Sequence, residues 1–194
     1  TLRQADVQLM LIGVSLVNAS HAMLFAFSAI YWQKMGFSGI DVGILWSAGV
    51  LAEVVFFLFA VQLRRRFNLW SMMTLGGAVA VGRWILFPMD MSFAGYFALQ
   101  CLHAFTYALI HMSAQNRLVE RVAEEQEGAA QGLYFFYTGV FTALATFVSG
   151  YAFSWYGVQG FYLMSFVAAA GLASVVAGRI VAPRAQPQSA ASGG

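Results

Sequence analysis

The chain reads as an all-α membrane protein with six transmembrane helices, and three observations predict it. Hydrophobic residues make up 60% of the 194 positions and charged residues 9%, against about 25% charged in a soluble domain. The apolar residues gather into runs of about 20, the length that crosses a bilayer as one helix. Arginines collect in alternate connections between those runs, as the positive-inside rule expects. A barrel would need alternating segments of about ten residues instead. The prolines Pro88, Pro183 and Pro187 all lie outside the long runs, so none breaks a helix.

The runs follow in order. The first, Leu9 to Trp32, carries Asn18, His21, Phe25 and Ser28 at helical spacing, a polar stripe that should turn away from lipid. Gly36 and Gly39 then make a turn, with Ser38 or Asp41 as the cap of the second run, Gly43 to Leu63. The third, Leu69 to Phe87, is among the shortest at about 19 residues, which still gives ~29 Å of helix. The fourth, Ser92 to Met112, repeats Gln100, His103, Tyr107 and His111 down one face, with Thr106 beside them. Its Cys101 allows no internal disulfide and reads as packing.

Glu120, Glu124, Glu125 and Glu127 share the next connection with Arg117 and Arg121, at spacings that suit a short surface helix with solvated pairs. The fifth run, Gly132 to Tyr156, offers Tyr134, Tyr137, Thr138, Phe141 and Thr142 on one face, equally suited to a ligand or to helix packing. Gly139 and Gly150 on that run, and Gly171, Gly178 and Ala168-Ala169-Ala170 on the sixth, Gly160 to Gly178, suit close helix contact. Residues 1–182 thus form one bundle, and Pro183 to Gly194 has nothing to bury and reads as a disordered cytoplasmic tail.

With six spans both termini share a side. That side receives Arg3, Arg64, Arg65, Arg66, Arg117, Arg121, Arg179 and Arg184, and the other receives Lys34, so both termini are expected in the cytoplasm. A net charge of +2 gives no reason to expect a nucleic-acid partner.

Five ionisable side chains interrupt the apolar runs: His21, Glu53, Arg83, His103 and His111. A charge near the bilayer centre costs at least ~2.5 kcal/mol and is tolerated where it faces a partner or a polar cavity. His21, Glu53 and His103 fall mid-span, and Arg83 lies ~7 Å further out by helical rise, within reach of their plane. A carboxyl able to take up a proton beside a fixed cation makes a coupling device, and a histidine can relay the proton or bind substrate. The expected proton-coupling set is therefore Glu53, Arg83 and His103. The expected substrate contacts are Asn18, His21, Arg83, Tyr107 and Tyr137. No catalytic set, metal site or cofactor is assigned, and an enzyme is not expected.

The stretch Gly43-Ile-Leu-Trp-Ser-Ala-Gly-Val-Leu-Ala-Glu53, then Leu63-Arg64-Arg65-Arg66-Phe67, Gly82-Arg83-Trp84 and Leu102-His103-Ala104-Phe105-Thr106-Tyr107 with His111, resembles the C-terminal half of the major facilitator superfamily. The similar branch contains lactose permease and the phenylpropionate permeases. The resemblance implies a 3+3 inverted repeat and proton-coupled symport of a small organic solute, such as an aromatic carboxylate, in a bacterial inner membrane. A sugar or nucleoside is the alternative substrate. It also implies an N-terminal six-helix half as partner. Arg65 and Asn68 depart from the aspartate and glycine common in the equivalent loop of the other half.

Two other classes leave partial signals. Gly36-Phe37-Ser38-Gly39 has the form of a rhomboid protease nucleophile motif, but it lies in an outer connection and the sixth run has no histidine. A haem protein would need His21 and His103 as facing axial ligands.

Overall fold

The computed structural model describes residues 4–183. Arg3, Arg184 and the expected tail from residue 184 onward lie outside the described residues. All regular structure among them is helical: α1 Ala5–Ala19, α2 Ala22–Lys34, α3 Gly39–Arg66, α4 Leu69–Leu86, α5 Phe93–Cys101, α6 Ile110–Arg121, α7 Glu127–Tyr156 and α8 Phe161–Val181. Five helical stretches are long and apolar enough to cross a membrane: Ala5–Lys34, Gly39–Arg66, Leu69–Leu86, Phe93–Arg121 and Glu124–Val181. The last has 58 residues and is two helices back to back, divided where Gly157 takes φ 57° at the end of α7.

Local chemistry sets the ends. Helix α2 stops in a Schellman turn: Gly36 adopts φ 93°, its N–H reaches the Gln33 carbonyl, and the Phe37 N–H reaches that of Trp32. Ser38 and Asp41 then form a reciprocal capping box on α3, which uses the Ser38 hydroxyl structurally. Asn68 caps α4 through the Trp70 N–H at 2.8 Å.

Two expected continuous helices are interrupted. The first run divides at Ser20-His21, because Ser20 Oγ donates to the Val17 carbonyl at 2.6 Å and His21 Nδ1 lies 3.2 Å from the carbonyls of Val17 and Asn18. Side chains that occupy backbone acceptors compete with the helical ladder. The fourth run contains a π-helical stretch, Ala104–Leu109, between α5 and α6, an irregularity often found at functional sites.

Packing places α1 inside. It lies against α8 and α7, α4 packs on α8, α2 on α7, and α3 on α5. Gly13 and Gly171 meet face to face: a Cβ on Gly171 would stand 2.6 Å from the Gly13 carbonyl oxygen. Gly178 is tightly but less closely packed: a Cβ there would stand 3.0 Å from the Trp70 ring and 3.2 Å from the Asp6 carbonyl oxygen. Gly139 and Gly150 differ from expectation, for no neighbouring atom lies where their Cβ would be. They sit on α7 beside the exposed Phe136 and Phe147. Helix α3 likewise leaves Leu51, Val55 and Leu58 uncovered, an apolar surface suited to lipid.

The connection after α6 also departs from the solvated-pair reading. Arg117 does pair with Glu120 at 3.4 Å, and Glu124 and Glu125 are exposed. Arg121, however, lies 2.9 Å from Asp6, a buried carboxylate at the start of α1. Arg117 reaches the same oxygen at 3.9 Å and covers the Trp70 ring. The pair is a brace between α1 and α6 rather than a surface contact.

Candidate functional site

Helices α3 and α4, together with the π-helical stretch and its flanks, bring Glu53, Arg83 and His103 into one connected chain. Glu53 Oε1 lies 2.9 Å from His103 Nε2, and Arg83 Nη1 lies 3.2 Å from His103 Nδ1. A guanidinium only donates, so Nδ1 is the acceptor and Nε2 carries the hydrogen that His103 gives to Glu53. The imidazole is a neutral bridge between cation and anion. While Arg83 donates to Nδ1 there is no place on it for a second proton.

Arg83 itself is buried, at 1% exposure. Its second Nη1 hydrogen goes to Thr106 Oγ1 at 3.1 Å, and Nη2 donates to Gln100 Oε1 at 2.6 Å. Gln100 is held in turn by donating to the Leu45 carbonyl at 3.2 Å. The face of Trp84 lies 4.7 Å from the guanidinium carbon, a cation–π contact. A buried cation is stable only when so surrounded.

His21 joins the network from the break between α1 and α2. Its Nδ1 is occupied by the two backbone carbonyls, so Nε2 accepts from Thr106 Oγ1 at 2.9 Å. The ring meets His103 edge-on, with centroids 5.1 Å apart. Both nitrogens of His21 are therefore engaged and the two rings touch, an arrangement that offers no slot for a haem between them.

A crevice of about 270 Å³ opens on this chain, lined by Leu24, Phe25, Trp46, Gly49, Val50, Glu53, Gln100, His103 and Tyr107. Phe25 and Trp46 stack at 5.9 Å, and Tyr107 stacks on His103 at 5.3 Å, so aromatic surface borders the carboxylate. Of the residues expected to bind substrate, Tyr107 lines this crevice and the others do not. Arg83 lies behind His103 and Gln100. His21 is sunk in the helix break. Asn18 donates to Tyr134 Oη at 3.0 Å, where His111 Nδ1 also bonds at 3.0 Å. Tyr137 donates to Gln8 at 2.8 Å, on the α1–α7 contact.

Sequence reasoning did not single out Thr106 as the joint between Arg83 and His21, nor Trp46 and Gly49 as crevice wall. Thr106 lies three residues after His103, which was the available signal.

A family described as "MFS_1 like family" matches residues 1–164. The chain is also 31% identical, over 155 residues, to a protein of Escherichia coli (strain K12) described as "Probable 3-phenylpropionic acid transporter". That stretch takes in 80% of the present chain and 41% of the relative, so the chain spans less than half of that protein's length.

Proposed function

The chain belongs to the MFS_1 like family of membrane transporters, and from that premise we propose that it forms one half of a proton-coupled symporter for a small organic solute, an aromatic carboxylate above all. In this reading α1 with α2, α3, α4, α5 with α6, α7 and α8 are six spans in a 3+3 inverted repeat. Both termini are cytoplasmic, the membrane is the bacterial inner membrane, and an N-terminal six-helix half closes over the crevice.

The observation that carries the proposal is the chain Glu53–His103–Arg83 at the crevice wall. With Glu53 ionised its charge and that of Arg83 cancel across a neutral imidazole. A proton on Glu53 leaves the Arg83 cation without its counter-charge in a low-dielectric setting, which is costly. An anionic solute entering beside Glu53 restores neutrality. One proton and one carboxylate are then favoured together and disfavoured separately, which is the requirement for symport. The aromatic wall of Phe25, Trp46 and Tyr107 and the description of the relative both favour an aromatic acid over a sugar or nucleoside.

The test is uptake by the full-length protein in proteoliposomes under an imposed pH gradient, across aromatic carboxylates, sugars and nucleosides. Accumulation of an aromatic carboxylate above its outside concentration, lost in Glu53→Gln, is the expected result. Uphill accumulation retained by Glu53→Gln would contradict the coupling role.

A further inference from the structure

Resting on that symport reading, we infer that the substrate carboxylate binds the protonated Glu53 carboxyl directly, while Arg83 stays behind His103 and never touches substrate. The groups that reach the crevice decide this. Arg83 does not line it, and both Nη1 hydrogens and one on Nη2 are already given to His103, Thr106 and Gln100. The free Nε is buried. His103 gives its Nε2 hydrogen to Glu53, and the Gln100 side chain is bonded at both ends.

Two groups remain on the wall that can serve a carboxylate. One is the Tyr107 hydroxyl, which has no hydrogen-bond partner among the described residues. The other is Glu53, whose Oε1 faces His103 while its second oxygen has no protein partner among the described residues. Ionised, Glu53 repels a second carboxylate inside about 270 Å³. Protonated, it offers a short O–H···O⁻ bond, among the stronger hydrogen bonds available to a protein.

The proton arrives from the outer medium, forms an O–H bond on the free oxygen of Glu53, and is shared with the substrate. It returns to water on the cytoplasmic side after the substrate leaves. His103 bonds Glu53 and Tyr107 shares its wall; the other ionisable groups nearby stand behind these, Arg83 from α4 and His21 from the α1–α2 break against His103 and His111 one turn beyond Tyr107. The wall residues of α2 and α3, namely Leu24, Phe25, Trp46, Gly49 and Val50, add none.

The experiment compares two probes on the wild-type full-length protein: 3-phenylpropionate, which only accepts at its polar end, and 3-phenylpropanamide, which also donates. Binding is followed over a pH series in which the carboxylate probe stays ionised. The carboxylate is expected to bind tighter as pH falls, by up to about tenfold per pH unit for one linked proton. The amide is expected to show the opposite trend, because its N–H₂ suits ionised Glu53. If Arg83 were the direct ligand, both probes would accept from it and both would bind tighter at low pH.

In Glu53→Gln both trends should vanish, and Glu53→Ala, which lacks any donor, should bind the carboxylate at least tenfold more weakly than Glu53→Gln. Parallel trends in wild type overturn the inference while leaving symport standing. Absence of proton-driven accumulation of every solute overturns symport itself, and failure of 3-phenylpropionate to bind at any pH overturns both the substrate class and this inference.

Discussion

Arg83 donates to three different side chains from a fully buried position, so its removal orphans acceptors that were arranged around it. Arg83→Gln is expected to abolish accumulation and to lower stability by about 3 kcal/mol or more, because three hydrogen bonds to a charged group are lost at roughly 1.5–3 kcal/mol each. Thermal unfolding of the purified protein checks this. The double variant Glu53→Gln with Arg83→Gln removes both charges together, and its melting temperature should recover towards wild type while transport stays lost. A double variant less stable than either single one would contradict the charge-balance account. Asp6→Asn strands Arg117 and Arg121 at the other end of α1. Both arginines are partly exposed, so the cost should be lower, about 1–3 kcal/mol.

The meeting of Glu53, Arg83 and His103 was legible in the sequence. Glu53, Arg83 and His103 each break an apolar run, and the expense of a charge in hydrocarbon predicts that they find one another. Asp6 was not legible, because an acid in the first turn of a helix ordinarily faces water. Nor was the helix break at His21, where two backbone carbonyls hold the ring away from the crevice wall.

At the level of the element, the break in the first span is held by the Ser20 hydroxyl together with His21 Nδ1. Ser20 Oγ donates to Val17 and accepts from Trp84 Nε1 at 2.8 Å, so Ser20→Ala leaves a buried indole N–H unpaired, at a cost of about 1–3 kcal/mol. The same change leaves the Val17 carbonyl with His21 Nδ1 alone of its two side-chain partners and should shift His21, reducing uptake even where the protein remains folded. Measured transport per folded molecule separates the two effects. At the α1–α8 crossing, Gly171→Ala places a methyl against the Gly13 backbone and should destabilise by roughly 1–3 kcal/mol through overpacking, whereas Gly43→Ala, with open space around it, should stay within about 0.5 kcal/mol of wild type.

Periodicity located the helices but not these irregularities. An apolar run shows the same hydropathy whether it is straight, broken at Ser20 or widened into a π turn at Ala104–Leu109, because the difference lies in which carbonyl each polar side chain occupies. The turn at Gly36 and the cap at Ser38 were readable, since a glycine and a short hydroxyl residue have specific backbone uses there.

For the molecule as a whole, the uncovered faces state what the chain needs around it. Phe136, Phe147 and Trp155 on α7 and Leu51 and Leu58 on α3 are all more than half exposed, so lipid or another apolar surface must meet them. If six spans run with both ends in the cytoplasm, a cysteine introduced at Arg65 should react with an impermeant thiol reagent from the cytoplasmic side, and one at the exposed Lys34 from the outside. The reverse labelling pattern would invert the proposed orientation.

The central claim is that Glu53 carries the transported proton in step with the solute. Its most direct measurement is the proton flux that accompanies 3-phenylpropionate entry into unbuffered vesicles holding the full-length protein. The account predicts one proton taken up per carboxylate by wild type and none by Glu53→Gln. Equal proton uptake by the two proteins would contradict it.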